Sequence, residues 1–171
     1  MTRSKDDPQI LRPLAAAPFQ AYISDSLQIF DILDWVLHQT GPAEVRQTTF
    51  SISEEHLRRI ARLRELGIIR SLSLVLDHKA TNKTLNLWSF IANASDRSFL
   101  ANNHSKVLLV RSASMKVSVV TSQNLTRGNR FEASFISSDP EIFDRLSDDF
   151  DSIISSAIPL DEVLRTATQF D

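Results

Sequence analysis

Four polar side chains between residues 104 and 124 have the chemistry that a phosphodiester requires. His104 and Lys106 are two residues apart beside one apolar run, and Ser122 and Asn124 are two residues apart at the end of another. Alternate residues of a strand share a face, and open α/β sheets bind ligands at strand ends. Lysine supplies charge, serine and asparagine supply hydrogen bonds, and histidine can attack phosphorus. We therefore expect these side chains to converge on one phosphate.

The order HxK, SxN and then glutamate resembles the phospholipase D superfamily, the HKD phosphodiesterases and nucleases. Residues 104–106 (HSK) match the HxK motif, and residues 121–124 (TSQN) match the family's GSxN with threonine in place of glycine. The stretch from this motif to Glu132 is similar to the family's asparagine-to-glutamate segment, in which the glutamate orients a catalytic histidine. The resemblance covers roughly residues 43–155.

The resemblance implies catalytic roles for four residues, which are His104, Lys106, Asn124 and Glu132. Ser122 and Asn103 stand beside them in the sequence, and we expect both to contact substrate. Simpler interpretations stay open from the residues alone. Ser122 and Asn124 could cap a turn, and Glu132 could form an exposed salt bridge.

Two features depart from the family pattern. The aspartate expected five residues after the lysine is Arg111 here. By strand parity this position faces away from His104 and Lys106, so we expect its loss to leave the chemistry intact. The spacing between His104 and Asn124 is a few residues longer than in the usual motif, and we assign the extra length to a polar hairpin turn over residues 111–116.

One HxK motif is present, whereas the family's reaction uses two histidines. His38, His56 and His78 lack lysine and asparagine companions, and we expect them on the surface. Single-motif chains resemble small bacterial nucleases of the superfamily, which pair two copies across a homodimer axis. The resemblance thus implies that one His104 attacks phosphorus to form a phosphohistidine, while His104 of the partner subunit protonates the leaving group.

These inferences predict a metal-independent nuclease that acts on DNA or RNA as a homodimer. We expect no cofactor and no metal, because Lys106 fills the electrostatic role and no His, Asp and Glu cluster at ligand spacing surrounds it. One alternative is a weak or inactive module that binds nucleic acid through its phosphate site. Another is a lipid-headgroup phosphodiesterase, which the absence of a clear amphipathic membrane-binding surface disfavours. We therefore expect no membrane partner and a cytoplasmic location.

Composition excludes several other functions. The 171 residues include no cysteine, which rules out disulfides, cysteine-ligated zinc and a thiol nucleophile. The three glycines, at positions 41, 67 and 128, are too far apart for a dinucleotide or P-loop motif or for a nucleophile elbow. Residues 139–171 carry nine acidic and two basic residues, whereas residues 1–138 carry 17 basic and 12 acidic residues. A phosphate-bearing partner is therefore expected at the first of these two segments.

The pattern of apolar residues predicts the elements that position these side chains. Helices are expected at 25–39, 53–66, 83–94 and, after Pro140, 141–157, and strand-like runs at 44–52, 68–78, 98–111, 115–123 and 130–138. This order indicates an α/β fold, a single domain with a mixed β-sheet between helices, as in one phospholipase D-like half. We assign residues 1–20 to a flexible arm and residues 21–171 to the domain.

Two features of the predicted helices have simple structural explanations. Arg58, Arg59 and Arg62 share a helical face, which could bind nucleic-acid phosphates or form a solvated charged surface with neighbouring glutamates. Trp35 and Trp88 occupy apolar helical positions and are expected in the core.

Overall fold

A mixed eight-stranded sheet forms the centre of the computed structural model, which describes residues 10–126, 128 and 130–167. The strands are β1 (Phe19–Ser24), β2 (Ala43–Thr49), β3 (Ile69–Asp77), β4 (Arg97–Ala101), β5 (Val107–Arg111), β6 (Lys116–Thr121), β7 (Glu132–Ser137) and β8 (Ile158–Pro159). The helices are α1 (Ile29–Thr40), α2 (Glu54–Glu65), α3 (Thr81–Asn86), α4 (Trp88–Ala94), α5 (Pro140–Ser156) and α6 (Leu160–Ala167), and a 3₁₀ turn spans His78–Ala80. The predicted α/β class with a mixed sheet is confirmed.

The strand order brings the ends of seven strands to one edge of the sheet. The order is β1-β7-β6-β5-β2-β3-β4-β8, with β2, β3 and β4 parallel and every other pair antiparallel. Because β5 runs against β2, the residues before β5 lie at the same edge as the carboxyl ends of β2, β3 and β4. The start of β7 and the ends of β1 and β6 complete this edge.

Helices cover both faces of the sheet. Helices α1, α2 and α4 contribute to the larger apolar cluster, in which Ile32, Ile60 and Ile91 are fully buried. Helix α5 covers part of the other face, where Phe143 and Phe150 pack against Val75 and Leu109. Trp35 and Trp88 are partly buried against the larger cluster, as expected.

The helix boundaries follow local capping chemistry. The Ser53 hydroxyl accepts a hydrogen bond from the backbone N–H of His56 at 3.3 Å and begins α2. Gly41 follows α1 and Gly67 follows α2, both with positive φ that glycine adopts without strain. The single helix predicted for 83–94 is two short helices, because Leu87 leaves helical geometry with φ −103° and ψ 7°.

The strand predicted for 98–111 is two strands, which changes the setting of the HxK residues. Strands β4 and β5 are separated by residues 102–106, so His104 and Lys106 lie in a turn before β5 rather than within a strand. The interruption has a physical cause, since the buried Asn103 side chain hydrogen-bonds Ser105 and closes a turn. The hairpin turn predicted after β5 is present, with the Ser112 N–H donating to the Met115 carbonyl at 2.9 Å.

Several elements lie outside the sequence prediction. Strand β1 pairs with β7, and β8 pairs with β4, so β1 and β8 are the two outermost strands of the sheet. Residues 10–20, assigned from the sequence to the arm, belong to the folded domain, because Leu11, Leu14 and Ala17 are buried and β1 begins at Phe19. Residues 1–9 of the expected arm and residues 168–171 lie outside the described residues.

The predicted surface position of His56 is wrong. Its side chain is 6% exposed and packs edge-to-face against Phe30, with ring centroids 5.4 Å apart. His56 follows the α2 N-terminus on the face that also buries Leu57 and Ile60, so it turns inward despite its polarity. His38 and His78 are exposed, as expected.

Three of the four arginines of α2, namely Arg58, Arg59 and Arg62, form a paired, solvated surface. Arg58 pairs with Glu54 at 2.7 Å, and Arg62 pairs with Glu65 at 3.2 Å. Arg59 lies over the Phe30 ring, 3.6 Å from its centroid. These contacts favour the structural interpretation of this face.

None of the helices in the described part of the chain combines the length and apolar character that a membrane crossing requires.

Candidate active site

Thr49, at the end of β2, joins the two loops that carry the predicted site residues. Its carbonyl accepts a hydrogen bond from Asn103 Nδ2 at 3.2 Å, and its hydroxyl accepts one from the backbone N–H of Leu125 at 3.2 Å. Leu125 also forms a β-bridge with Ile52. The loop before β5 and the loop after β6 are therefore attached to the same buried residue.

The two loops also meet through the sheet. The Thr121 N–H, at the end of β6, donates to the Lys106 carbonyl at 3.0 Å, which extends the β5–β6 ladder past the formal start of β5. The predicted convergence of the HxK and SxN segments at one edge of the sheet is thus present in the structure.

His104 and Lys106 lie side by side on the surface of this edge. Lys106 Nζ is 3.3 Å from His104 Nδ1 and 3.5 Å from Nε2, and it donates to the His104 carbonyl at 2.7 Å. The His104 ring packs edge-to-face against Phe50, with centroids 5.4 Å apart. One face of the imidazole is therefore supported by an aromatic ring while its nitrogens stay close to a cation. This arrangement suits an imidazole that attacks an anionic phosphodiester.

Ser122 and Glu132 form a hydrogen-bonded pair beside this site. The Ser122 hydroxyl donates to Glu132 Oε2 and accepts the backbone N–H of Ala133 at 3.1 Å. In a single chain no hydrogen bond between described residues joins Glu132 to His104. The role that the resemblance implies for Glu132, orientation of a catalytic histidine, stays a prediction.

The side-chain amide of Asn124 forms no hydrogen bond with the described residues. Its Oδ1 is buried without a hydrogen-bond partner among the described residues. No hydrogen bond to these residues uses its amide nitrogen either. Unpaired buried polar atoms are uncommon in folded proteins, so the Asn124 amide is a candidate group for binding substrate.

Asn103 lies inside the protein rather than at the mouth of the site. It is 4% exposed, and its side chain binds Thr49 and Ser105. The expected contact with substrate has no support from this placement. Asn103 instead shapes the turn that presents His104.

Electrostatics at the site centre on Lys106. Burial lowers the pKa of its ammonium, and the neighbouring Glu132 and Asp77 act in the opposite direction. A cation flanked by two carboxylates keeps its charge more readily than a lone, partly buried lysine. The negative charges of Glu132 and Asp77 therefore favour the charged form of the Lys106 ammonium in this site.

Arg111 lies away from this centre, at the far end of β5. It pairs with Glu44 of β2, and its Nε donates to Glu44 Oε2 at 3.1 Å. Arg111 is five positions along the chain from Lys106, which corresponds to roughly 16 Å along the strand. The expectation that Arg111 is outside the phosphate site agrees with this position, although distance along β5 rather than strand parity is the reason.

Three residues at this edge were missed by sequence reasoning, namely Thr49, Phe50 and Asp77. In the structure Thr49 ends β2, Phe50 follows it and Asp77 ends β3, whereas the predicted strands continued to residues 52 and 78. Asp77 directly follows the run SLVL. A polar residue at the end of a buried strand was the available signal. Among the described residues, no group of three or more His, Asp and Glu side chains is placed to hold a metal ion.

Comparison with solved structures identifies the fold. No protein-family profile matches the chain. No curated protein matches it significantly either. The structure is similar to Nuc, a phospholipase D family member from Salmonella typhimurium, with a TM-score of 0.66, 13% identity and coverage of 82% of this chain and 96% of Nuc.

Two further structures show the same similarity. NucT from Helicobacter pylori has a TM-score of 0.62 at 13% identity, with coverage of 82% of this chain and 99% of NucT. TrmBL2, an archaeal chromatin protein, has a TM-score of 0.56 at 7% identity, with coverage of 83% of this chain and 54% of TrmBL2. At these identities the likeness concerns architecture. It confirms the fold that the sequence motifs indicated: the chain has the fold of the phospholipase D superfamily.

Proposed function

We propose that the chain is a metal-independent phosphodiesterase that hydrolyses nucleic acid through a phosphohistidine, in a site shared by two copies. The observation that carries the proposal is the exposed His104–Lys106 pair at the sheet edge where the loop of Asn124 and the Ser122–Glu132 pair also lie. These residues supply a nucleophile, a cation and amide donors without a metal ion.

The reaction proceeds by two displacements at phosphorus. A nitrogen of His104 attacks and forms a phosphorus–nitrogen bond as the bond to the leaving oxygen breaks, and His104 of the partner subunit gives that oxygen a proton. The same partner imidazole then takes a proton from water, whose oxygen displaces His104 from phosphorus. Lys106 and the Asn124 amide stabilise the charge on the non-bridging oxygens during both steps.

A second copy is required because one chain offers one suitably placed histidine. His38 lies in the last turn of α1, and His56 lies in the first turn of α2 with its side chain buried. His78 is exposed after Asp77 at the same sheet edge, but it has no lysine two residues away in the sequence. A two-fold axis brings two copies of His104 together without additional sequence.

An apolar strip supplies a surface for this second copy. The strip comprises Phe19 and Ile23 of β1, Val120 of β6 and Phe135 of β7. Ile23 is 74% exposed and Phe19 is 49% exposed, which is unusual for large apolar side chains that share one surface.

The strip is continuous with the site. A groove lined by Ile23, Val120 and Phe135 also includes Ser122, whose hydroxyl binds Glu132. A partner that buries the strip therefore reaches the edge that carries His104. This continuity favours a second copy of the chain as the occupant.

Nucleic acid is the proposed substrate because of charge and structural likeness. The net positive segment of the chain, residues 1–138, carries the whole site, and the acidic surplus lies in α5 and α6. TrmBL2 is an archaeal chromatin protein whose structure shows a novel mode of DNA binding. The structural similarity of this chain to TrmBL2 supports a nucleic-acid partner. DNA and RNA are both compatible with these features.

A second candidate function is nucleic-acid binding without turnover. The observation that favours it is the Ser122–Glu132 hydrogen bond, which occupies one carboxylate oxygen of the residue expected to orient a histidine. The phosphate-binding groups would remain in such a protein, whereas the double displacement would fail.

Hydrolysis of a nucleic-acid panel by wild type and His104→Ala tests the proposal. We expect wild type to cleave single- or double-stranded DNA or RNA in excess EDTA, with inhibition by vanadate or tungstate, which mimic pentacovalent phosphorus. His104→Ala should be inactive and lack the acid-labile phosphohistidine, while His38→Ala should match wild type.

The alternatives give different results. Binding of the same panel by wild type with no turnover supports the non-catalytic function. Activity that disappears with EDTA and returns with magnesium contradicts the metal-independent mechanism.

A further inference from the structure

Asp77 is a buried carboxylate behind the proposed site. It ends β3, is 2% exposed and forms no salt bridge with the described residues. Its Oδ1 accepts the backbone N–H of Lys79 at 2.7 Å, and its Oδ2 accepts that of Asn103 at 2.9 Å. Each oxygen thus accepts a hydrogen bond from a backbone N–H, as a buried polar group requires.

The hydrogen bond to Asn103 connects Asp77 to the turn that presents His104. Asn103 in turn binds the Thr49 carbonyl at 3.2 Å through Nδ2 and accepts the Ser105 N–H at 3.2 Å. The Ser105 hydroxyl lies 2.8 Å from that of Thr48. Residues on both sides of His104 are therefore fixed, and Asp77 supplies the hydrogen bond at the start of the turn.

The carboxylate also acts on Lys106 through charge. Asp77 and Glu132 are the two carboxylates whose negative charge favours the protonated form of Lys106 and opposes the effect of burial. Glu132 has the larger effect of the two, and Asp77 adds to it from a buried position.

We propose that Asp77 is a positioning residue for the reaction: its carboxylate fixes the turn that presents His104 from inside the sheet edge. Its negative charge also favours the protonated form of Lys106. The inference rests on the proposed function for its effect on turnover. Asp77 does not contact substrate, because its carboxylate is enclosed by protein.

Asp77→Asn tests this role, because it removes the charge and replaces one acceptor oxygen by an amide that cannot accept a backbone N–H. We expect kcat to fall roughly ten- to a hundredfold as the His104 turn loses its position. We also expect the alkaline limb of the pH–rate profile to move to lower pH, because Lys106 loses its proton more readily.

A ¹³C-NMR titration of Lys106 gives a readout that does not depend on turnover. The chain has five lysines, and the Lys106 signal is assigned by its absence from Lys106→Arg. In Asp77→Asn the midpoint of this titration should move to lower pH, because a negative charge that favours the ammonium is removed. If wild type proves inactive, the proposed function fails, but the NMR shift still decides whether Asp77 holds the charge of Lys106.

Asp96→Asn is the matched control. Asp96 also accepts a backbone N–H, that of Leu72 at 2.7 Å, but it pairs with Arg64 at the opposite end of the sheet. It should lower stability without moving the pH profile or the Lys106 titration.

Asp77→Ser, which can still accept one backbone N–H, is measured beside Asp77→Asn in case the amide prevents folding. A shift in the Lys106 titration in either folded variant supports the proposal. An unchanged titration together with an unchanged pH–rate profile overturns it, as does failure of both variants to fold while Asp96→Asn folds, since Asp77 would then be required for the fold itself.

Discussion

The Ser122 hydroxyl donates a hydrogen bond to the Glu132 carboxylate and accepts the Ala133 N–H, so the end of β6 and the start of β7 are joined at the site. We expect from this contact that Ser122 acts through Glu132 rather than directly on substrate. It fixes the carboxylate that the family resemblance assigns to histidine orientation. The two residues should therefore act together.

We predict that Glu132→Gln lowers kcat by roughly ten- to a hundredfold. This loss is smaller than that of His104→Ala, because the carboxylate orients and does not react. Ser122→Ala should give a smaller loss in the same direction. The double variant should lose no more than Glu132→Gln alone, since both changes remove one function. Steady-state kinetics on a nucleic-acid substrate measures the three variants, and additive losses would show that Ser122 acts separately on substrate.

Much of the site was accessible from the sequence because its side chains carry distinctive chemistry. His104, Lys106, Ser122 and Asn124 stand beside apolar runs that form β5 and β6. Residue type and spacing therefore indicated their place at a sheet edge. The α/β fold followed in the same way from the alternation of helical and strand periods.

The remaining features depend on contacts between distant residues. Asn103 is turned inward by Asp77 and Thr49, which are 26 and 54 residues away in the chain. Strand β1 was missed because it pairs with β7 and exposes Phe19 and Ile23, so its apolar pattern does not report burial. Local periodicity contains no information about such partners.

Arg111→Asp, which restores the family's residue type, should leave activity within about twofold of wild type, because Arg111 lies at the opposite end of β5 from Lys106. The change places a carboxylate beside Glu44 and removes an exposed ion pair, so thermal unfolding should show a loss of about 1 kcal/mol or less. Arg111→Ala serves as the control, since it removes the pair without adding negative charge. A tenfold change in kcat/KM for either variant would show that this position does influence the site.

His56 gives a prediction about acid stability. Burial lowers its pKa to about 3, and Arg59 acts in the same direction. The folded protein therefore keeps this imidazole neutral below pH 6.5, where the unfolded chain takes up a proton. More protons bound by the unfolded state mean that stability falls as pH falls, so His56 stabilises the fold fully above pH 6.5 and loses this contribution toward pH 3.

Between pH 6.5 and pH 3, protonation of His56 in the unfolded chain should lower the free energy of unfolding by up to about 1.4 kcal/mol per pH unit. His56→Met removes the titrating group and the unpaired Nε2 while filling a similar volume, so its free energy of unfolding should fall less steeply with acid than that of wild type. Urea unfolding at several pH values between 4 and 7 measures both slopes. His38→Gln, at an exposed histidine, should retain the wild-type slope, and equal slopes for wild type and His56→Met would disprove the assignment.

The apolar strip predicts how the dimer can be broken. Ile23→Glu places a charge on the most exposed part of the strip and should shift the protein to monomer in light scattering, with loss of turnover in proportion. The fold should be retained, because a side chain that is 74% exposed has little role in the core. Ile158→Glu is the matched control, since Ile158 is 54% exposed on β8, the outermost strand on the side of the sheet opposite β1. If Ile23→Glu stays dimeric and active, the second copy binds elsewhere.

A mixed dimer separates a shared site from two independent ones. The proposed double displacement uses one His104 to attack and one from the partner subunit to protonate, so a dimer of wild type and His104→Ala lacks one of the two and should lose nearly all turnover. Independent sites would keep half of the wild-type rate. Differently tagged chains, co-expressed and purified through both tags, provide the mixed species for kinetics.

The control for this experiment is a mixed dimer with His78→Ala, because His78 is the other exposed histidine at the same sheet edge. It should keep the full rate, since His78 lies beside Asp77 without a neighbouring HxK lysine. If the His78→Ala chain instead abolishes turnover, the proton donor comes from His78. If the His104→Ala mixed dimer retains half of the rate, each chain holds a complete site and the requirement for two copies is removed.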